Sequence, residues 1–183
     1  MLFWHLGVTA AIVFVTLGRK RIDYRIVLLG AILPDLIDKP LGRIFFEDQF
    51  GTSRLFGHTL ALVLALFVLT QLVLRGETLR RWFILSVACL LHLGLDAMWN
   101  DPVTLFWPLF GSTFPPHQVD SYWLEVLLRP LEHPVEGLKE VAGLVCLLYL
   151  GIGHGVVRGP GLKAFIRTGR LPAKPSKGVE QGE

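Results

Sequence analysis

The sequence predicts an all-α, polytopic membrane protein with about five membrane-embedded helices, and three observations support this prediction. Hydrophobic residues make up 52% of the 183 residues and charged residues only 18%, with a mean hydropathy of +0.52. That is too little charge to cover the surface of a soluble domain. The apolar residues form long blocks, and Lys and Arg cluster in alternate connections between the blocks. We expect a helical membrane domain over residues 1–158 and a cytoplasmic, disordered tail over residues 159–183.

The apolar segments differ in length. A helix needs about 20 residues to cross a bilayer, at ~1.5 Å of rise per residue. The third to fifth segments approach that length, whereas the first two are shorter and have to pack inside the bundle. The stretch 121–131, SYWLEVLLRPL, mixes aromatic, apolar and charged residues as an interfacial helix does. The five segments are residues 4–17, 24–37, 57–74, 82–99 and 135–157.

The distribution of Lys and Arg predicts the orientation. Most of these residues lie beside the connections that follow the first and third segments, or in the tail. Because such residues are retained on the cytoplasmic side, the pattern predicts a multi-pass protein of the inner (plasma) membrane, with the N-terminus outside and the C-terminus in the cytoplasm. The net charge of +3 and the absence of a basic stripe argue against a nucleic-acid partner.

Histidine and aspartate gather at the predicted outer ends of the segments. Asp35 and Asp38 are spaced i, i+3, and His92 and Asp96 are spaced i, i+4, so each pair shares a helix face. We expect Pro34 to interrupt its helix and turn the two aspartates inward. His92 lies about seven residues, ~10 Å, inside the outer end of its segment. Charged groups at membrane depth are costly and are usually paired or functional.

Imidazole and carboxylate together suit zinc, manganese or iron better than calcium. The sequence carries no Gly-x-Ser-x-Gly elbow and no phosphate-binding glycine loop. The favoured chemistry is therefore attack by a metal-activated water on an ester or phosphoester, with Asp38 or His58 as proton acceptor. Arg54 is a candidate for binding a phosphate group. Each residue also has an ordinary interpretation: Asp35 and Asp38 as a helix end, His58 as a cap, and Arg54 as an interfacial arginine.

The order of several motifs resembles a known family. A histidine at the start of the first segment is followed by GAILPDLID, RLFGHTL, HLGLD and LFWPLF. Over residues 5–110 this order is similar to the LexA-binding, inner-membrane-associated hydrolases, also described as membrane-bound metal-dependent hydrolases. The resemblance implies that the metal-site positions are His5, Asp35, Asp38, His58, His92 and Asp96.

The chain departs from the family pattern at one position. Ser53 stands before Arg54 where the family has a histidine. One expected ligand is therefore missing, which leaves the metal count open, and His117 is a candidate replacement.

The combined prediction is a membrane-embedded hydrolase of a lipid or lipid-linked (phospho)ester. Its cofactor would be a divalent metal ion, with zinc favoured and manganese possible, and its partners would be membrane lipids and a small-molecule or lipid-linked substrate. One alternative is a non-catalytic regulatory or scaffold protein with a structural metal. Another is an ion-coupled transporter, although its polar residues would be expected to serve both membrane faces.

Overall fold

The computed structural model describes residues 1–18, 22–116 and 133–173, and within these ranges every regular element is helical. The predicted all-α class is therefore confirmed for the described residues. A π-helical turn, Leu41–Phe45, directly follows the second helix, and 3-10 turns lie at Phe56–His58 and Met98–Asn100. The α-helices are α1 Leu2–Leu17, α2 Tyr24–Pro40, α3 Glu47–Phe50, α4 Leu60–Val73, α5 Gly76–Leu95, α6 Pro102–Leu105, α7 Pro134–Gly153 and α8 Gly159–Thr168.

Two helix pairs form the centre of the bundle, α1 with α7 and α2 with α5. Glycine brings the backbones of each pair close together. A Cβ atom on Gly7 would lie 1.8 Å from the carbonyl oxygen of Gly143, and one on Gly30 would lie 2.7 Å from the methyl group of Ala88. Such close approach at small residues is typical of helices that associate in membranes.

The five predicted apolar segments all correspond to long helices, but they differ in their suitability to cross a bilayer. Within the described ranges, α5 is the helix whose length and hydropathy suit a crossing, whereas α1 and α4 are apolar but shorter. That the other helices also cross the membrane remains a prediction.

Basic residues mark one end of the bundle. Asp23 caps α2 by accepting a hydrogen bond from the backbone N–H of Arg25, and it pairs with the Arg25 guanidinium at 2.7 Å. The side chain of Arg81 on α5 lies 4.0 Å from the same carboxylate. The N-termini of α2 and α5 therefore lie side by side at this end of the bundle. Their C-termini lie at the opposite end, where the histidines and aspartates gather.

Three predictions about local structure were wrong. Pro34 lies inside α2 and does not interrupt it, since the loss of one backbone donor leaves the rest of the helix intact through Pro40. Helix α5 ends at Leu95 because Ala97 adopts a left-handed conformation, φ 51°, so His92 lies in the last turn of the helix and not deep within it. Residues 159–168 form α8, although they were predicted to be disordered.

The amphipathic sequence of α8 explains the last difference, since Phe165 packs against the core of the bundle. The predicted interfacial helix at 121–131, His117 and the end of the tail lie outside the described residues.

Candidate metal centre

Four separate elements bring the six predicted site residues to one end of the bundle. His5 lies in the first turn of α1 and Asp35 and Asp38 near the end of α2. His58 ends the 3-10 turn before α4. His92 and Asp96 lie in the last turn and at the C-cap of α5. His5, Asp38, His58 and His92 are almost completely buried, and Asp35 and Asp96 are slightly accessible.

The three imidazoles have the same hydrogen-bonding arrangement. Each Nδ1 faces an oxygen acceptor: the carbonyl of Met1 for His5, Asp38 for His58 at 2.7 Å, and the carbonyl of Ala31 for His92 at 2.6 Å. Because these oxygens accept hydrogen bonds, each Nδ1 carries the proton and donates. In the neutral form of these rings the lone pair is then on Nε2, as in histidines that bind a metal through Nε2.

The three Nε2 atoms face a common centre. Those of His58 and His92 are 3.4 Å apart, and in neutral rings that carry their proton on Nδ1 neither has a proton to donate to the other. The ring of His5 stacks on that of His92 with centroids 4.1 Å apart. His5 Nε2 lies 2.9 Å from Asp96 Oδ1, but the angle does not satisfy a hydrogen bond, so this nitrogen has no hydrogen-bond partner among the described residues. Converging lone pairs of this kind require a proton or a cation between them.

Two aspartates supply negative charge next to the position of such a proton or cation. Asp96 links the rings, since its Oδ1 faces His5 and its Oδ2 lies 3.4 Å from His58 Nε2 and 3.9 Å from His92 Nε2. Asp35 Oδ1 lies 3.6 Å from His58 Nε2. Potential ligand atoms within 4.8 Å of one another occur in two groups that share His92: His5, His92 and Asp96, and Asp35, His58 and His92.

The spacing of these atoms fits a small divalent ion. Ligand atoms at ~2.0–2.1 Å from a tetrahedral zinc are ~3.4 Å apart. His58 Nε2 lies at that separation from both His92 Nε2 and Asp96 Oδ2. A set of imidazoles with one or two carboxylates also has the chemical character that zinc, manganese and iron prefer. The residues present therefore fit the predicted metal.

Asp38 has a different position from that expected of a ligand. Its carboxylate is completely buried and accepts hydrogen bonds from the backbone N–H groups of Leu55, Gly57 and His58 and from His58 Nδ1. It belongs to neither ligand group. Gly57 is required beside it, because a Cβ at that position would lie 2.9 Å from Asp38 Oδ1. Asp38 thus fixes the His58 ring through Nδ1, the nitrogen that faces away from the centre.

Two cations lie next to the slightly accessible carboxylates. Lys39 Nζ is 2.6 Å from Asp35 Oδ2, and Arg54 is about one-third exposed with its guanidinium 3.6 Å from Asp96 Oδ2. Ser53, which precedes Arg54, contributes no ligand to either group, and His117 lies outside the described residues. His154 is at the other end of the bundle, where its Nδ1 donates to the carbonyl of Pro172.

Several supporting residues were not predicted from the sequence. The spacing of Lys39 four residues after Asp35 could have revealed it. No sequence signal indicated Glu140 on α7, which accepts hydrogen bonds from the backbone N–H groups of Phe3 and Trp4 at 2.7 and 3.3 Å. Trp4 in turn donates its indole N–H to the carbonyl of Leu95, next to Asp96. These contacts fix the first turn of α1, and with it His5, against the end of α5.

The family model described as YdjM inner membrane protein matches residues 1–159. No curated protein and no solved structure matches the chain.

Proposed function

The chain belongs to the family of the YdjM inner membrane protein, and we propose that it is a membrane-embedded, metal-dependent hydrolase of a lipid-linked phosphoester. The observation that carries the proposal is the shared orientation of His5, His58 and His92. Each donates its Nδ1–H to an oxygen and turns a buried Nε2 towards Asp96. Histidines that bind a metal through Nε2 have this outer hydrogen bond almost without exception.

The metal would be a single ion, with zinc favoured and manganese second. His92 has one lone pair to offer and can bind one ion, so the two ligand groups that share it cannot both be filled at once. The ligands would be His5, His58, His92 and Asp96. The chemistry that such an ion supplies is a lower pKa for water and electrophilic stabilisation of the phosphate.

The remaining polar residues would have separate roles in hydrolysis. Asp35, which is partly accessible, would accept the proton of the attacking water while Lys39 holds its other oxygen. Arg54 would bind two oxygens of the phosphate. The water oxygen bonds to phosphorus, the bond from phosphorus to the lipid alcohol breaks, and the departing oxygen takes up a proton. Asp38 would act by positioning His58 and not by contact with substrate.

The surroundings of the site favour a substrate that already lies in the bilayer. Large apolar side chains are exposed in the segments that follow Asp38 and Asp96. Exposed apolar surface of this kind suits contact with lipid. A phospholipid or a lipid-linked phosphate could therefore reach Arg54 without leaving the membrane. These side chains are Ile44, Phe45, Phe46, Trp99, Leu109 and Phe110.

The orientation is part of the proposal: the metal centre faces the outside, and the basic end faces the cytoplasm. A reporter that is active in the periplasm, fused after Asn100, should be active. Activity of a cytoplasmic reporter at the same position would reverse the orientation.

The test of activity uses the purified protein in lipid nanodiscs, loaded with zinc and supplied with phospholipids or lipid-linked phosphates. We expect release of phosphate or of a phosphorylated headgroup that stops on addition of a chelator and in the Asp96→Asn variant. The Arg54→Ala variant should raise KM more than it lowers kcat, and Arg54→Lys should recover part of the loss. His154→Ala, a buried histidine outside the site, is the matched control. Stoichiometric zinc without turnover of any of these lipids would refute the hydrolase proposal.

One observation favours a second candidate, a regulatory or scaffold protein with a structural metal. The three histidines and Asp38 are almost completely buried, which leaves Asp35, Asp96 and Arg54 as the accessible part of the centre. Structural zinc sites are closed in this way, whereas catalytic sites keep an open position. In that case removal of zinc would lower the melting temperature of the wild-type protein, and no lipid would be hydrolysed.

A further inference from the structure

Helix α8 is attached to the basic end of the bundle, opposite the metal centre. The guanidinium of Arg25 donates to the carbonyl of Ile166 at 2.6 Å, and the backbone N–H of Tyr24 donates to the carbonyl of Gly169 at 2.7 Å. Phe165 packs against the core cluster of the bundle, to which Leu171 belongs. The helix is thus held by its inner side and by the residues that follow it.

The outer side of α8 combines apolar and basic residues. Leu162 and Ile166 are one helical turn apart and are 45% and 61% exposed. Residues 155–173 contain four cations and no carboxylate. All four cations are exposed, and none forms an ion pair among the described residues. They are Arg158, Lys163, Arg167 and Arg170.

The position of α8 relative to α5 indicates what covers this surface. Asp23, which caps α2, contacts both Arg25 and Arg81 of α5. The attachment of α8 through Arg25 therefore lies close to the start of α5, the helix with the length and hydropathy of a membrane crossing. A helix at that level, with exposed aliphatic residues beside unpaired cations, has the composition of an interfacial helix.

From this arrangement we propose that α8 binds the surface of an anionic phospholipid bilayer. Leu162 and Ile166 enter the boundary between headgroups and acyl chains, and the four cations contact headgroup phosphates. Charge complementarity selects anionic over zwitterionic lipid, because phosphatidylglycerol carries a net negative charge and phosphatidylcholine carries none. An acidic protein would satisfy the cations but would leave the aliphatic pair without an apolar contact. This inference does not depend on the proposed hydrolase activity.

Hydrogen exchange measured by mass spectrometry on the full-length protein tests the proposal. The protein is placed in nanodiscs of phosphatidylcholine alone or of phosphatidylcholine mixed with phosphatidylglycerol. We expect the amides of Gly159–Thr168 to exchange about tenfold more slowly in the anionic discs, and about 0.5 M salt to remove most of the difference. Amides of α4 serve as the internal reference.

Three double variants separate the apolar and basic contributions. A Leu162→Asn, Ile166→Asn variant and a Lys163→Gln, Arg167→Gln variant should each lose the slowing, whereas a Lys163→Arg, Arg167→Lys variant should keep it. Slow exchange of the amides of α2 and α5, unchanged from the wild type, reports that each variant is folded. Equal exchange of the wild-type helix in both kinds of disc would overturn the proposal. So would slowing that appears only when an acidic polypeptide such as polyglutamate is added.

Discussion

The buried carboxylate of Asp38 on α2 accepts the Nδ1–H of His58 at 2.7 Å, and it also accepts three backbone N–H groups from the turn that contains His58. This fixes both the tautomer and the direction of the His58 ring. The carboxylate is therefore supported from the backbone and does not share the centre that the imidazoles face. In known metal sites such outer partners contribute strongly to affinity.

We predict that Asp38→Asn weakens zinc binding about 10- to 100-fold, the range typical of outer-shell substitutions. The amide is uncharged and has one oxygen acceptor, so it cannot accept the four hydrogen bonds that the carboxylate accepts. His58 then loses its fixed orientation. Competition with a fluorescent zinc chelator measures the change in Kd. Asp48→Asn, which removes the same charge from an exposed position on α3, should leave the Kd unchanged. An unchanged Kd in Asp38→Asn would show that His58 needs no such support.

Glu140 is predicted to affect zinc binding although it does not face the centre. It accepts the first backbone N–H groups of α1, and favourable charge at a helix start also stabilises that turn. Glu140→Ala should raise the Kd for zinc about tenfold because His5 is less firmly placed. Glu140→Gln keeps an acceptor and should recover part of the affinity. Lys139→Ala, at the preceding residue of α7, is the control. Equal Kd values in all three variants would exclude a positioning role for Glu140.

Gly143 is predicted to tolerate no side chain. A Cβ there would lie 2.1 Å from the carbonyl oxygen of Phe3, so Gly143→Ala has to push α1 away from α7. The free energy of unfolding should fall by about 1–3 kcal/mol, and zinc affinity should fall with it. Gly153→Ala in the same helix meets nothing within 4 Å and should change stability by less than about 0.5 kcal/mol. Thermal unfolding in detergent compares the two, and similar melting temperatures would contradict the close contact.

The acid stability of the basic end should depend on Asp23. Partial burial favours its neutral form, but the hydrogen bonds and charge of Arg25, with Arg81 nearby, outweigh burial and hold the pKa of Asp23 below its ordinary value. A carboxyl group with a lowered pKa in the folded state contributes stability above its unfolded pKa of about 3.9, and the contribution is lost as the pH falls through the folded pKa.

Asp23→Asn should therefore lower the free energy of unfolding by about 1 kcal/mol at neutral pH, since it removes the negative charge that pairs with Arg25, although the amide oxygen can still cap α2. The difference from the wild-type protein should shrink below about pH 4. Chemical unfolding over a pH series measures it. A difference that stays constant with pH would mean that the ionised form of Asp23 contributes nothing.

The amount that sequence alone could predict differed between parts of the chain. Blocks of apolar residues located the long helices, and the sequence placed His92 and Asp96 in the outer half of the fourth segment, but it did not predict that both lie where α5 ends. The helix ends were less predictable, because the left-handed backbone at Ala97 stops α5 four residues before its apolar segment ends. The helix α8 was missed because its ordering depends on contacts with Tyr24 and Arg25, far away in sequence.

The roles of individual aspartates could not be read from sequence for a related reason. Asp35 and Asp38 have similar neighbours, but Asp38 faces the backbone of Leu55 and Gly57 and Asp35 faces His58 Nε2. That distinction follows from how the 3-10 turn at Phe56–His58 packs on α2, which spacing along the chain does not encode.

We propose that three imidazoles and Asp96 hold one metal ion. Elemental analysis of protein purified without chelator, compared between the wild type, His92→Ala and His154→Ala, tests this proposal. Both histidines are buried and donate Nδ1–H to a backbone carbonyl, but only that of His92 has its Nε2 in the centre. We predict about one equivalent of zinc in the wild type and in His154→Ala, and almost none in His92→Ala. A wild-type protein without stoichiometric metal, or a His92→Ala variant that retains it, would contradict the account.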